Sequence, residues 1–98
     1  MIDDIDLHDA TLLAVHLTWA EGTCVFTLRH GQLSNCTLTF TGVSNLVLPR
    51  TQPWGPSHSI DSVSQRVKGK YEIEMQSGDL FRIDANDVVF VSEVPVSS

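Results

Sequence analysis

With 98 residues, 42% hydrophobic and 18% charged, the chain has the size of one domain around one core and is too apolar to be disordered. A formal net charge of -6, with no basic cluster beyond Arg66, Lys68 and Lys70, argues against a nucleic-acid partner. No apolar run reaches ~18 residues, and Asp3, Asp4, Asp6 and Asp9 precede every basic residue, so the sequence predicts no transmembrane helix, no secretory signal and a cytoplasmic location.

Leu7 to Ala10 admits one helical turn, after which the periodicity is that of strands. Leu13, Val15, Leu17 and Trp19 alternate with Leu12, Ala14, His16 and Thr18. Cys24, Phe26 and Leu28 alternate with Val25, Thr27 and Arg29, and Cys36, Leu38 and Phe40 with Thr37, Thr39 and Thr41. A two-residue turn at Glu21-Gly22 predicts Trp19 opposite Cys24, Leu17 opposite Phe26 and Val15 opposite Leu28. A hairpin centred on Gln32 predicts Leu28 opposite Cys36, Phe26 opposite Leu38 and Cys24 opposite Phe40. Both pairings collect the apolar residues on one face, as a half-buried sheet requires. The other face gathers Thr18, Thr23, Thr27, Thr37, Thr39 and Thr41 with His16 and Val25, a hydroxyl-rich and nearly uncharged surface. Threonine suits any solvated strand, yet a flat neutral face also suits a partner or a second copy.

Asn45 to Leu48 reads as a short strand stopped by Pro49, and residues 60–67 as an edge strand with thin apolar content. Gln76-Ser77-Gly78-Asp79 is a turn signal. Pairing across it predicts Met75 with Phe81, Ile73 with Ile83, Tyr71 with Ala85, Glu74 with Arg82 and, unfavourably, Glu72 with Asp84. A last strand covers Val88 to Val91, and residues 94–98 read as a frayed tail. The fold class is therefore all-β: a single-domain antiparallel sandwich, roll or partly open barrel of about seven or eight strands.

Charge is unevenly placed. Residues 1–28 carry five acids and no base, residues 71–98 carry six acids and Arg82, and the middle holds Arg29, Arg50, Arg66, Lys68 and Lys70 against Asp61. Within that middle, residues 49–58 hold three of the four prolines and Trp54. A loop stiffened by Pro49, Pro53 and Pro56 is the natural place for recognition, with Arg50, Trp54, Ser57 and His58 as the binding candidates. Trp54 is expected first as a plug at one end of the core, with Ser57 fixing the turn, which leaves Arg50, Ser57 and His58 as the contact surface.

No catalytic constellation accompanies it. Cys24 and Cys36 lie on the same face, but the register sets them on a diagonal too long for a disulfide, so both are expected as buried free thiols. His8, His16, His30 and His58 form no compact ligand motif, and His8-Asp9 would need His58 or Asp61 to complete a metal site. No nucleophile elbow, phosphate-binding glycine loop or His-Glu-x-x-His helix is present. The expectation is no catalytic residue, no metal and no cofactor.

Leu7-His8-Asp9-Ala10, Val47-Leu48-Pro49-Arg50 followed by Pro53-Trp54-Gly55-Pro56-Ser57, and Glu74-Met75-Gln76-Ser77-Gly78-Asp79 together resemble small bacterial proteins grouped with the immunity protein fifty family of polymorphic toxin systems. The resemblance implies an inhibitor that acts by binding a protein, its partner a toxin domain. The leading functional expectation is accordingly a non-enzymatic protein-interaction module, specifically an immunity-type inhibitor of a bacterial toxin. A sugar- or metabolite-binding protein using the Pro-Trp loop is the alternative, and a metal-dependent hydrolase built on His8, Asp9 and His58 a further one. Homo-oligomerisation through the threonine face is compatible with each.

Overall fold

The computed structural model describes residues 5–50 and 59–93. Among these, the chain forms eight strands: β1 (Thr11–Thr18), β2 (Thr23–His30), β3 (Ser34–Thr41), β4 (Asn45–Val47), β5 (Ile60–Val67), β6 (Lys70–Met75), β7 (Leu80–Asp84) and β8 (Asp87–Ser92). They make two antiparallel four-stranded sheets, ordered β1-β2-β3-β8 and β4-β7-β6-β5, which do not close into a barrel. The all-β expectation holds, including an edge position for residues 60–67, since β5 pairs with β6 alone among the named strands.

The β2–β3 hairpin has the register that alternation predicts: Cys24 faces Phe40, Phe26 faces Leu38 and Leu28 faces Cys36. All six side chains are buried. The β1–β2 register differs by two residues. Trp19, Ala20 and Glu21 wind into a 3-10 turn closed by Gly22 at φ 65°, so Trp19 leaves the strand instead of facing Cys24. Leu17 faces Cys24 and Val15 faces Phe26, and an irregularity between Leu12 and Ala14 turns Leu12, which alternation placed on the polar face, opposite Leu28 and against the core. From Ala14 to Thr18 this two-residue shift preserves which face each side chain takes, which is why alternation alone does not detect it there.

The β6–β7 hairpin shifts in the same way. Gln76, Ser77 and Gly78 form the loop, with Gly78 at φ 98° and its N–H donating to the Met75 carbonyl at 2.9 Å. Ile73 therefore faces Phe81, and Tyr71 faces Ile83. Glu72 faces Arg82 in place of Asp84, while Asp84 meets Lys70 at 3.2 Å. The observed register thus replaces the like-charge pair with two unlike ones. Such exposed pairs are worth only ~0.2–1 kcal/mol each, yet they all favour the same register.

Leu7 to Ala10 forms a hydrogen-bonded turn rather than a helix, with the Ala10 N–H donating to the Leu7 carbonyl at 3.0 Å. Leu7 and Ala10 are buried against one end of the core. His30 ties this segment down. Its Nδ1 accepts from the N–H groups of Gln32 and Leu33 at 3.1 and 3.2 Å, which leaves Nε2 as the donor to the Asp6 carbonyl at 3.0 Å.

The chain passes from β7 back to the first sheet through Ala85 and Asn86, whose N–H groups donate to the Gly69 and Thr41 carbonyls at 3.0 and 2.8 Å. Gly42 makes this crossing feasible. It sits at φ 63°, and a Cβ there would run into the Asn86 side chain. β8 then pairs with β3 from Thr41–Asp87 to Cys36–Ser92, longer by a residue at each end than Val88 to Val91.

The sheets meet through aromatic rings. Phe26 and Phe40 of the first sheet are 5.4 Å apart edge to face; Phe81 approaches Phe26 at 6.4 Å and Tyr71 approaches Phe40 at 5.2 Å from the second. Phe26 is fully buried and touches both neighbouring rings. Replacing Phe26 with Ala should lower unfolding stability by about 3–5 kcal/mol, measured by chemical denaturation. A loss below about 1 kcal/mol would show that this ring is not central to the core.

Candidate functional site

Of the four binding candidates read from the sequence, Arg50 is exposed just beyond β4, and Trp54, Ser57 and His58 lie outside the described residues. Two surfaces on the described part of the chain have the properties of contact regions. The first is the outer face of the β1-β2-β3-β8 sheet. The second is the end of β1.

The registers define the outer face row by row. Thr18, Thr23, Thr41 and Asp87 form one row, and His16, Val25, Thr39 and Val89 the next. Ala14, Thr27, Thr37 and Val91 follow. The two central rows carry no charged residue. Charges stand at the margins: Asp87 at one corner, Arg29 and Glu93 at the opposite end. The threonine face anticipated from alternation is thus present and wider than expected, because β8 adds Val89 and Val91, exposed at 50% and 56%. A signal for this lay in the sequence: Val88 to Val91 is apolar at every position, so one of its two faces must point away from the core.

β1 occupies an unusual position. Its start meets β5, where Thr11 bridges to Ser59 and the Ile60 N–H donates to the Ala10 carbonyl at 2.8 Å. Its end lies near β4, where Leu17, Trp19, Gly22, Val43, Ser44, Asn45 and Leu46 line an open cavity of about 460 Å³. Since β4 and β5 are opposite edges of the second sheet, β1 runs across the ends of that sheet's strands. Val15 and Leu17 consequently remain exposed although they lie on the core side, and Trp19 is 87% exposed. Alternation assigned these three residues to the buried face, and the crossing of the sheets left them out of the core.

The polar residues near the start of β1 form a third group. His8 lies between two carboxylates, with Nδ1 3.2 Å from Asp9 Oδ2 and Nε2 3.4 Å from Asp61 Oδ1. The Gln76 amide donates to Asp9, and Asp61 hydrogen-bonds the Glu74 carboxyl. That shared hydrogen bond, with the negative charge of Asp61 behind it, raises the Glu74 pKa above the ordinary glutamate value. His8, Asp9 and Asp61 are thus brought together as the sequence allowed, but His8 and Asp9 are exposed and Asp61 half-buried, and among the described residues no group of three or more His, Cys, Asp or Glu side chains is arranged to hold a metal ion. Cys24 and Cys36 are free and buried, and burial pushes both thiols up from their ordinary value.

These features define the class: a two-sheet antiparallel β protein whose distinctive surfaces are a neutral sheet face and an apolar strand. No family model and no curated protein matches the chain. Its fold is similar to the crystal structure of an uncharacterized protein from Neisseria gonorrhoeae, with a TM-score of 0.61 at 14% identity over 87% of this chain and 92% of that one. No helix among the described residues is long and apolar enough to cross a membrane.

The Glu74–Asp61 pair generates a testable pH dependence. A carboxyl whose folded-state pKa is raised stabilises the fold when protonated and loses that contribution as pH rises through the raised value. Glu74→Gln keeps a donor toward Asp61 at every pH. Thermal melts should therefore place the variant above the wild-type chain near neutral pH, with the gap closing as pH falls to about 4. A gap constant across that range would show that Glu74 and Asp61 do not share a proton.

Proposed function

We propose that this protein is a non-enzymatic protein-interaction module, and that its specific form is an immunity-type inhibitor of a bacterial toxin acting in the cytoplasm. The observation that carries the reading is the outer face of the first sheet. Its two central rows combine threonine hydroxyls with His16, Val25, Val89 and Val91 and are uncharged, on a chain with 18 acidic and basic residues. Neutral cores with charged margins characterise non-obligate protein interfaces. Asp87 and Glu93 at the margin, together with the net charge of -6, favour a partner with a neutral centre and a basic rim. The motif resemblance to immunity proteins supports the specific form, and the absence from the sequence of any established catalytic motif supports the non-enzymatic one.

The test begins with capture of the tagged chain's partner from its native host, followed by calorimetry with the purified partner. Thr39→Arg and Val89→Arg would each place a desolvated, unpaired charge at the centre of the contact, opposite the partner's neutral centre. Each should weaken the binary complex by about 30-fold or more, the equivalent of about 2 kcal/mol. Unchanged affinity in both variants, or recovery of nothing but copies of the chain itself, would sink the proposal.

A further inference from the structure

We propose that β1 pairs antiparallel with β1 of a second copy of the chain, centred on His16, so that the two first sheets join into one. Among the described residues, β1 pairs along its length with β2 on one side, and on its other side only Thr11 has a bridging partner, Ser59. Edge strands are ordinarily protected by charge, proline or a bulge. Here the irregularity between Leu12 and Ala14 protects only the first part of the strand. From Ala14 to Thr18 the pairing with β2 is regular, and no residue from Thr11 to Trp19 is charged.

The exposed side chains specify what kind of strand fits. Leu13, Val15, Leu17 and Trp19 are exposed at 44%, 37%, 40% and 87%. Within the regular stretch from Ala14 to Thr18, Val15 and Leu17 are symmetric about His16. An antiparallel strand of the same sequence, with His16 opposite His16, therefore sets Val15 against Leu17, a pair that occurs twice, and Ala14 against Thr18. A slip of one residue would set the apolar positions against Ala14, His16 and Thr18 instead. A two-fold axis through His16, normal to the sheet, generates the pairing and closes it at two copies. Electrostatics point the same way. Two chains of net charge -6 repel in general, but this stretch lacks the acidic surplus, so the copies approach where repulsion is weakest. Leu17 and Trp19 also line the cavity beside β4, and the pairing brings Val15 of the second copy opposite Leu17 at its mouth.

This contact lies at the strand edge, apart from the centre of the neutral face, and it would extend that face across both copies. The two proposals fail separately, because Thr39 and Val89 lie away from the β1 edge. The test uses the whole chain. Sedimentation velocity across a concentration series should show reversible monomer–dimer exchange. Val15→Lys with Leu17→Lys, which sets like charges opposite, should raise the dissociation constant by about tenfold or more. Val15→Lys with Leu17→Glu sets unlike charges opposite at the same positions and should restore the dimer. His16→Cys, at an exposed site, tests the register even if the lysine variant fails to fold. Directly opposed strand positions lie within disulfide reach, so His16→Cys should link two copies under mild oxidation. Ala14→Cys, which lies opposite Thr18, should not, and Cys24 and Cys36 are buried and do not compete. A chain that sediments as a monomer throughout, or a dimer in which His16→Cys links no faster than Ala14→Cys, would overturn the proposal.

Discussion

The contact on which the rest of the structure depends is the aromatic seam between the sheets. Phe26 and Phe40 stand side by side on the inner face of β2 and β3, and Phe81 and Tyr71 come down on them from the second sheet. Rings of this size fill the space between two sheets, and edge-to-face contact restricts how the sheets rotate relative to one another. Leu28, Leu38, Ile73 and Ile83 pack fully buried in the same core. Once the seam is set, the strands that do not contribute to it are free to vary in exposure.

β1 shows the consequence. Its pairing with β2 keeps Val15 and Leu17 on the core side, but the second sheet presents only its corners to this strand, one through Ser59 and Ile60 and the other through Leu46. Apolar side chains that would have closed a wider sandwich are left as a surface. The short crossing through Ala85 and Asn86, made feasible by Gly42, brings β8 beside β3 and leaves Val89 and Val91 standing among the threonines. Both candidate contact surfaces are thus by-products of where the two sheets cross, not of any local motif.

How much of this was legible varies element by element. The β2–β3 hairpin could be read residue by residue, because strong alternation on both strands and a symmetric loop about Gln32 leave one register that buries Phe26, Leu38 and Phe40 together. The two shifted hairpins were legible only as to face. At the first, the 3-10 turn of Trp19 to Glu21 consumed residues that alternation had assigned to the strand. At the second, the pairing of Glu72 with Asp84 was the clue that the register was wrong, and the true one pairs Glu72 with Arg82. The threonine face was legible, whereas the exposure of Trp19 was not, since a tryptophan at the end of an apolar strand reads as core.

What the sequence determined by itself is the all-β class, the faces of β2, β3, β6 and β7, and the two thiols at Cys24 and Cys36. All of these follow from period-two alternation, which is local and needs no partner sheet. Only the tertiary structure decided which apolar residues were covered, because coverage depends on the angle at which the second sheet crosses the first and on the turn geometry that feeds it. Val15, Leu17 and Trp19 have the same pattern as Cys24, Phe26 and Leu28, yet the former lie at the rim and the latter at the seam. That difference belongs to packing between distant segments, and no periodicity along one strand encodes it.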